Sequence, residues 1–315
     1  METDIAMVNI SDFRFKSSDG IHEIHCRQWV PQGPIKGVVQ ILHGVAEHIQ
    51  RYYDFGVFLA ENGYVAVGDD HLGHGYSVSA PSELGWFGEK DGWKRIVEDE
   101  KKLHDLLTDW YPGIPTVLFG HSMGSFMART YLGWYPSDFD ACILSGTGWQ
   151  PGLICKAGMA MAKGEIARNG NRVHSEKLQN LAFGSYLKKI ENPIGKNDWI
   201  TRDEDIIRRY DADPLCGFAA SAGLMYDMMS GLDIICRDSH LEKMNKNLPV
   251  LFLSGAEDPV GGWGKGVRKT AAMFRWVAMR DITVKLYPDA RHEMLNELNK
   301  KEAMADILAW ISEKI

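Results

Sequence analysis

The sequence predicts an α/β protein in which helices flank a mostly parallel central sheet. Short apolar runs rich in Val, Ile and Leu recur along the chain, and helical patterns lie between them. Strands that alternate with helices are typical of parallel sheets covered on both faces. This alternation stops between about residues 149 and 240 and then resumes, which indicates an insertion.

The first predicted strand differs from the others. Residues 21–29 (IHEIHCRQW) alternate between polar and apolar side chains, as an antiparallel edge strand does. The remaining strands are continuous apolar runs, which buried parallel strands require. They are predicted at residues 37–42, 64–69, 116–120, 141–146, 249–255 and 283–288.

Four helices are predicted between and after these strands, at residues 52–62, 93–110, 122–135 and 302–315. The second shows its apolar stripe most clearly, with Ile96, Leu103, Leu107 and Trp110 on one face.

The insertion is rich in Met, Ala, Gly and charged residues, with helical patches at residues 155–163 and 218–232. Because the strand–helix order resumes at Pro249, we expect the insertion to lie on top of the sheet and not to fold as an independent domain. Methionines usually pack in cores, but they also line adaptable lipid-facing pockets.

Composition excludes several classes of function. The 315-residue chain has a formal net charge of −7 and a pI near 5.9, which argues against a nucleic-acid partner. The five cysteines are scattered and form no CxxC pair, so we expect neither disulfides nor a zinc site. The chain begins METDIAMVNISDF, without the basic start of a signal peptide, and no apolar stretch approaches the roughly 20 residues of a membrane span. We therefore expect a cytoplasmic protein with no integral membrane segment.

Residues 117–126 (VLFGHSMGSF) carry the first chemical signal. An apolar run ends at Ser122, with Gly120 and Gly124 at the two flanking positions where side chains would collide in a tight turn. Such a turn projects the serine side chain outwards. The alternative is an ordinary transition from a strand to a loop, in which the serine has no catalytic role.

A serine hydroxyl is a poor nucleophile, so acyl transfer needs an imidazole to take its proton and a carboxylate to orient that imidazole. Asp258 and His292 follow the last two predicted strands, at the sheet edge where reacting groups collect. Glu257 and Asp289 are competing carboxylates. The segment HEMLNE lacks the second histidine of HExxH, which argues against a metalloprotease.

The negative charge that develops on a carbonyl oxygen needs hydrogen-bond donors. His43 and Gly44 follow a predicted strand and allow a turn that aims the Val45 N–H at the site. The Met123 N–H, directly after the serine, is the second predicted donor.

Two other motifs predict little. The segment DDHLGHG lacks the spacing of a hydrolytic metal site, and GGWGKG departs from the phosphate-loop pattern and is predicted to be a flexible loop. We expect no metal ion and no organic cofactor.

Four segments together, HGVAEHIQRY, DDHLGHGYS, YPGIPTVLFGHSMG and GAEDPVG, resemble the monoacylglycerol lipase and lysophospholipase group of α/β-hydrolases, often labelled serine aminopeptidase S33. The resemblance covers most of residues 20–150 and 245–315. It implies an α/β-hydrolase fold, with a core of residues 1–148 and 241–315 and a helical cap at residues 149–240. Ser125 stands where the family often has glycine, and a small residue still fits.

The resemblance also assigns roles to residues. Glu47 and Arg51 match the EHxxRY segment beneath the site, where either a structural ion pair or glycerol recognition is expected. The catalytic residues implied are Ser122, Asp258 and His292, the oxyanion hole is Val45 and Met123, and the substrate contacts are Gly44, Glu47, Arg51 and His121.

The sequence therefore predicts a serine hydrolase that cleaves monoacylglycerols or lysophospholipids through an acyl-enzyme. A small-ester carboxylesterase and an aminopeptidase are alternatives, the latter requiring acidic cap residues such as Glu165, Glu176 or Glu191 near the serine. An inactive ligand receptor on the same scaffold is a third alternative. The expected partner is a small lipid or ester, with transient contact with lipid surfaces.

Overall fold

The structure, a computed structural model, describes residues 8–315. It contains an eight-stranded sheet in the order β1-β2-β4-β3-β5-β6-β7-β8. The strands are β1 (Asn9–Lys16), β2 (Glu23–Val30), β3 (Gly37–Leu42), β4 (Tyr64–Asp69), β5 (Thr116–His121), β6 (Ala141–Ser145), β7 (Val250–Gly255) and β8 (Ile282–Tyr287).

Only the pairings of β2 with β1 and β4 are antiparallel, and all others are parallel. The predicted α/β-hydrolase fold class is thus confirmed. The helices are α1 (Tyr53–Glu61), α2 (Gly92–Trp110), α3 (Met123–Trp134), α4 (Gly152–Asn169), α5 (Glu176–Phe183), α6 (Glu204–Ala212), α7 (Ala222–Ile235), α8 (Asp238–Leu241), α9 (Lys265–Trp276) and α10 (Lys300–Lys314).

Helices cover both faces of the sheet. Successive side chains of the central strands point to opposite faces, so each face forms its own apolar core with the helices that cover it. Leu118 of β5 packs in one core with apolar residues of α2, α3 and α9. Val117 and Phe119, on the opposite face of β5, pack in the other core with residues of α1 and α10. Strands β3, β5, β6 and β7 are buried along their whole length, as their continuous apolar sequences require.

Three predictions about elements are wrong in part. The β2 strand is antiparallel, but β1 is the edge, and β1 was not predicted. Trp110 does not share the buried stripe of α2, since it is 45% exposed and its ring packs edge-on against Phe13 of β1 at 4.9 Å between centroids. The loop GGWGKG is short, because α9 begins at Lys265 within it.

The insertion between β6 and β7 holds α4 to α7 and most of α8. Helix α7 lies against the core helices, where Gly231 permits close approach: a Cβ there would lie 2.0 Å from the Trp93 ring of α2. Within the described part of the chain, no helix combines the length and the apolar character needed to cross a bilayer. Residues 1–7 lie outside the described residues, and with them the start of the predicted core and the first part of the segment METDIAMVNISDF.

Candidate active site

Ser122 occupies a strained turn between β5 and α3. Its backbone angles are φ 52° and ψ −118°, a region that costs a non-glycine residue about 1–3 kcal/mol. A Cβ on Gly120 would lie 2.5 Å from the Gly124 carbonyl oxygen, and one on Gly124 would lie 2.2 Å from that of Leu42. Both positions therefore require glycine, which confirms the steric reason for the predicted turn. The Ser122 N–H donates to the Ser145 carbonyl at 2.9 Å, so the strained turn is anchored to β6.

Asp258 and His292 meet beyond the ends of β7 and β8. The Nδ1 atom of His292 lies 3.0 Å from Oδ1 of Asp258, and both side chains are buried. Asp258 is held in place by the Val260 N–H, which donates to Oδ1 at 2.8 Å, and by the Ser254 hydroxyl, which donates to Oδ2 at 3.1 Å. The competing carboxylates Glu257 and Asp289 are exposed, so Asp258 is the carboxylate beside the imidazole.

His292 is a buried imidazole whose charge is set by its surroundings. Burial disfavours the charged imidazole, but the carboxylates of Asp258 and Glu293 favour it, and the pKa of His292 is raised above its usual value. Within residues 8–315, its Nε2 atom has no hydrogen-bond partner. Gly146, at φ 59°, leaves room for the ring, since a Cβ there would lie 2.8 Å from Cε1 of His292. Ser122 and His292 line the same cavity.

The loop after β3 passes directly beside the serine. A Cβ on Gly44 would lie 3.2 Å from Cβ of Ser122, so the close approach depends on glycine. Val45 lines the cavity, and Met123 is the first residue of α3. In the described part of the chain, neither the Val45 N–H nor the Met123 N–H donates to a backbone acceptor. Two backbone donors are thus available near Ser122.

Glu47 and Arg51 belong to a buried ion cluster. Arg51 donates to Glu47 at 2.5 Å and, through both terminal nitrogens, to Glu293 at 2.7 and 2.6 Å. Glu47 also accepts from the Gly44 N–H at 2.5 Å and from the Tyr52 hydroxyl at 3.0 Å. Burial would raise the pKa of Glu47, but the Arg51 charge lowers it below its usual value. The cluster joins the loop after β3 to the segment that carries His292.

His121 lines the cavity while being almost fully buried. Its ring centroid lies 4.6 Å from that of His292, and its Nδ1 lies 3.2 Å from the Ser145 hydroxyl. Burial and the neighbouring His292 charge lower the pKa of His121 to about 4, so its ring is neutral at physiological pH.

The cavity above Ser122 has a volume of about 650 Å³, within the range of small-molecule sites. Most of its lining is apolar and comes from the insertion: Ile154, Ala157 and Met161 of α4 and Met225, Met228 and Leu232 of α7. Among the described residues that line it, Glu165, Glu176 and Glu191 do not appear.

Among residues 8–315, two groups of side chains have the composition of metal ligands. Asp69, His71 and Glu100 are buried, with Nδ1 of His71 at 2.9 Å from Asp69 and 3.0 Å from Glu100. Burial lowers the pKa of His71, but these carboxylates raise it well above its usual value, so the imidazolium supplies the positive charge that an ion would otherwise supply. Its Nε2 lies 3.1 Å from the His43 carbonyl, at the base of the loop that carries Val45. The second group is His48, Asp213 and Cys216.

Sequence reasoning missed three residues around the site. Glu293 directly follows His292, and its position alone could have suggested it. Trp199 lies with its ring centroid 5.0 Å from that of His292, and the Tyr210 ring lies 4.8 Å from the Arg51 guanidinium. Trp199 and Tyr210 come from the insertion, where no sequence pattern indicates which side chains face the serine.

Comparisons with known proteins show relatives that match nearly the whole chain. The profile of the family described as serine aminopeptidase, S33, matches residues 33–299. The chain is 27% identical over 306 residues to a monoacylglycerol lipase of Mycolicibacterium smegmatis, covering 96% of each chain. It is 26% identical to the monoglyceride lipase of Homo sapiens, over 95% of this chain and 89% of the relative. The structure of a thermostable carboxyl esterase from Bacillus coagulans, in complex with glycerol, superimposes with a TM-score of 0.90 at 28% identity, over 98% of this chain and 99% of the esterase.

Proposed function

The chain belongs to the serine aminopeptidase S33 family, and we propose that it is a serine hydrolase that cleaves the carboxylic ester of monoacylglycerols or lysophospholipids. Relatives named monoacylglycerol or monoglyceride lipase, similar over nearly the whole chain, favour lipid esters over other substrates of the family. One observation carries the proposal: a largely apolar cavity of about 650 Å³ is lined by both Ser122 and His292, and His292 is paired with Asp258 at 3.0 Å.

In the proposed mechanism, His292 takes the proton of Ser122 through its free Nε2 as the hydroxyl oxygen attacks the ester carbonyl. Asp258 keeps the imidazole in the required tautomer and stabilises the imidazolium that forms. The N–H groups of Val45 and Met123 stabilise the oxyanion, each by on the order of 3 kcal/mol. His292 then protonates the departing alcohol, and water releases the acyl group by the same steps.

The acyl chain is proposed to lie along α4 and α7, because apolar side chains dominate that part of the cavity. Such a lining stabilises a hydrocarbon chain by about 0.8 kcal/mol for each buried methylene. Residues 149–240 would then act as a cap that supplies the acyl site, while residues up to 148 and from 241 supply the chemistry.

Glu47 and Arg51 are proposed as structural residues and not as glycerol contacts. Each of their charges already has a partner within the cluster with Glu293, and Glu47 fixes the Gly44 N–H that precedes the oxyanion donor Val45. Gly44 acts through its lack of a side chain. His121 is proposed to support the His292 ring from below, as a neutral neighbour.

An aminopeptidase activity fits the cavity less well. A peptidase that recognises a substrate ammonium needs an unpaired carboxylate near the serine. The acidic side chains among the described lining residues are Glu47 and Glu293, and both are paired with the Arg51 guanidinium. This pairing favours an uncharged acyl group over an aminoacyl group.

Contact with lipid surfaces is proposed for the cap. Its large apolar side chains include several that are exposed: Leu153 (82%), Ile154 (55%), Leu181 (59%) and Ile194 (68%). Each of these side chains is available for contact with a membrane surface. Retention of the enzyme on sedimented vesicles tests this proposal, and loss of retention in a variant with Leu153 and Leu181 replaced by Ser is expected.

A cytoplasmic location is proposed from the cysteines. All five, including the half-buried Cys236, are unpaired thiols, which suits a reducing compartment. Cell fractionation that found the protein in an oxidising compartment would contradict this.

The function is tested by comparing the wild-type chain with Ser122→Ala and with Ser125→Ala as the matched control. We expect release of fatty acid from a monoacylglycerol and no turnover of an aminoacyl arylamide. Ser122→Ala should lose ester hydrolysis by a factor of about 10⁴ or more, whereas Ser125→Ala retains most of it. Arylamide turnover that exceeds ester turnover would refute the ester assignment.

A further inference from the structure

A second groove adjoins the catalytic cavity at its mouth. It has a volume of about 480 Å³ and shares Trp149, Gln150, Val260 and Trp263 with the lining of the larger cavity. The two spaces therefore lie side by side, with these residues as their common wall.

The groove is positively charged. Three lysines line it, Lys189 from the insertion and Lys265 and Lys269 from α9, and no acidic residue appears among its described lining residues. Within residues 8–315, none of these lysines lies within 4.0 Å of a carboxylate, although the chain as a whole carries a net charge of −7. Three unpaired cations that line one groove without an acidic residue form a local anion-attracting field.

Two of the lysines are positioned by tryptophans. The Lys189 ammonium lies 3.8 Å from the centroid of a Trp263 ring, and the Lys269 ammonium lies 4.2 Å from that of Trp149. Cation–π contacts of this kind hold an ammonium over an indole face without neutralising its charge. The two lysines also cover the indole faces that would otherwise bind the quaternary ammonium of a choline head group. Their positive charges repel such a group.

The main cavity contributes one further unpaired lysine. Its two carboxylates, Glu47 and Glu293, are paired with Arg51, whereas Lys196 has no carboxylate within 4.0 Å in the described part of the chain. The negative charge of this lining is confined to the buried cluster of Glu47, Arg51 and Glu293.

We propose that the groove of Lys189, Lys265 and Lys269 binds the phosphate of an anionic lipid head group. The proposal rests on the ester hydrolase function and deepens it, because it selects a phosphate-bearing lysolipid over an uncharged monoacylglycerol as the preferred substrate. The acyl chain lies in the apolar cavity, the ester carbonyl lies at Ser122, and the glycerol phosphate lies in the groove. The phosphate oxygens accept hydrogen bonds from the lysine ammonium groups.

The test compares the wild-type enzyme with the triple variant Lys189→Ala, Lys265→Ala, Lys269→Ala. A second triple variant, Lys90→Ala, Lys243→Ala, Lys301→Ala, removes the same charge from exposed positions that line neither space and serves as the control. Substrates are short-chain lysophosphatidylglycerol and the monoacylglycerol with the same acyl chain, both below their critical micelle concentrations.

We expect the groove variant to lose about tenfold or more in kcat/KM for the lysophosphatidylglycerol, with the monoacylglycerol changed less than about twofold. Salt should weaken the wild-type preference, and inorganic phosphate should inhibit the wild-type enzyme more than the groove variant. The control variant should behave as the wild type.

Two results would overturn the head-group proposal. One is an unchanged ratio of the two kcat/KM values in the groove variant. The other is a loss that appears only when either substrate is carried in anionic vesicles, which would assign the lysines to bilayer attraction. Absence of turnover of both esters by the wild-type enzyme would instead refute the hydrolase function itself, so the two failures are distinct.

Discussion

Replacement of Asp258 by Asn tests the geometry of the site in two independent ways. The substitution keeps the shape of the side chain but removes the charge that lies 3.0 Å from Nδ1 of His292. With an effective dielectric constant of about 20, a pair of unit charges at this distance interacts by about 5.5 kcal/mol. A loss of that size in stabilisation of the imidazolium corresponds to a decrease in kcat of about 10⁴-fold.

The same substitution should shift the pH profile. Catalysis requires neutral His292, so kcat/KM falls as pH decreases through the pKa of this residue. Burial lowers that pKa and Asp258 raises it, with the net result above the usual value of about 6.5. Without the Asp258 charge, burial dominates, and the ascending limb of the profile should move to lower pH.

Ester hydrolysis measured by pH-stat from pH 5 to 9 checks both effects. Glu257→Gln and Asp289→Asn are matched controls, because each removes a carboxylate that lies nearby in sequence but is exposed. Both controls should retain activity within about twofold. An Asp258→Asn variant with near-normal activity, or with an unshifted profile, would refute the assignment of Asp258.

Three further substitutions test the packing of the site. Gly124→Ala would place a Cβ 2.2 Å from a β3 carbonyl oxygen, so we expect a folded protein that has lost most esterase activity; full activity would show that the turn tolerates a side chain. Arg51→Met leaves two buried carboxylates unpaired and should lower the free energy of unfolding in urea by about 3–5 kcal/mol. The exposed Arg208→Met is its control and should leave the urea midpoint unchanged; equal midpoints for both would contradict a buried cluster. Leu232→Trp narrows the cavity and should shift the preferred acyl chain to shorter lengths, whereas Leu153→Trp, which is 82% exposed, should not; identical chain-length profiles would argue against the proposed acyl site.

The parts of the fold that sequence could predict are those in which burial is continuous. The β3, β5, β6 and β7 strands are apolar on both faces, so their sequences carry an unambiguous signal. By contrast, β1 is exposed along most of its length and offers little beyond Phe13 and Phe15. The error at Trp110 has the same origin, because Trp110 packs on Phe13 of the strand that was not predicted.

The α9 helix was missed for a different reason. Val267, Ala271 and Phe274 are buried at helical spacing, but the glycines that precede them suggested a loop. A glycine-rich segment predicts a turn correctly without predicting where the turn ends.

The candidate site divides in the same way. Ser122, Asp258 and His292 could be proposed from sequence because each lies beyond the carboxyl end of a predicted strand, and the ends of parallel strands meet at one edge of the sheet. For Glu47 and Arg51, sequence left open a structural ion pair or glycerol recognition. The structural role is proposed because Arg51 also binds Glu293, a contact that sequence could not show because Glu293 is distant along the chain. The sequence of the insertion does not indicate which way Trp199 or Lys189 points, because tertiary packing determines the orientation of its side chains.

Reaction with a fluorophosphonate, followed by peptide mass spectrometry, tests the central claim that one serine is made reactive by its surroundings. A single adduct is expected on Ser122, and it should disappear in His292→Ala and in protein unfolded before the reaction. An adduct on Ser125 or Ser145, or hydrolysis of monoacylglycerol by a chain in which Ser122 stays unlabelled, would contradict the account.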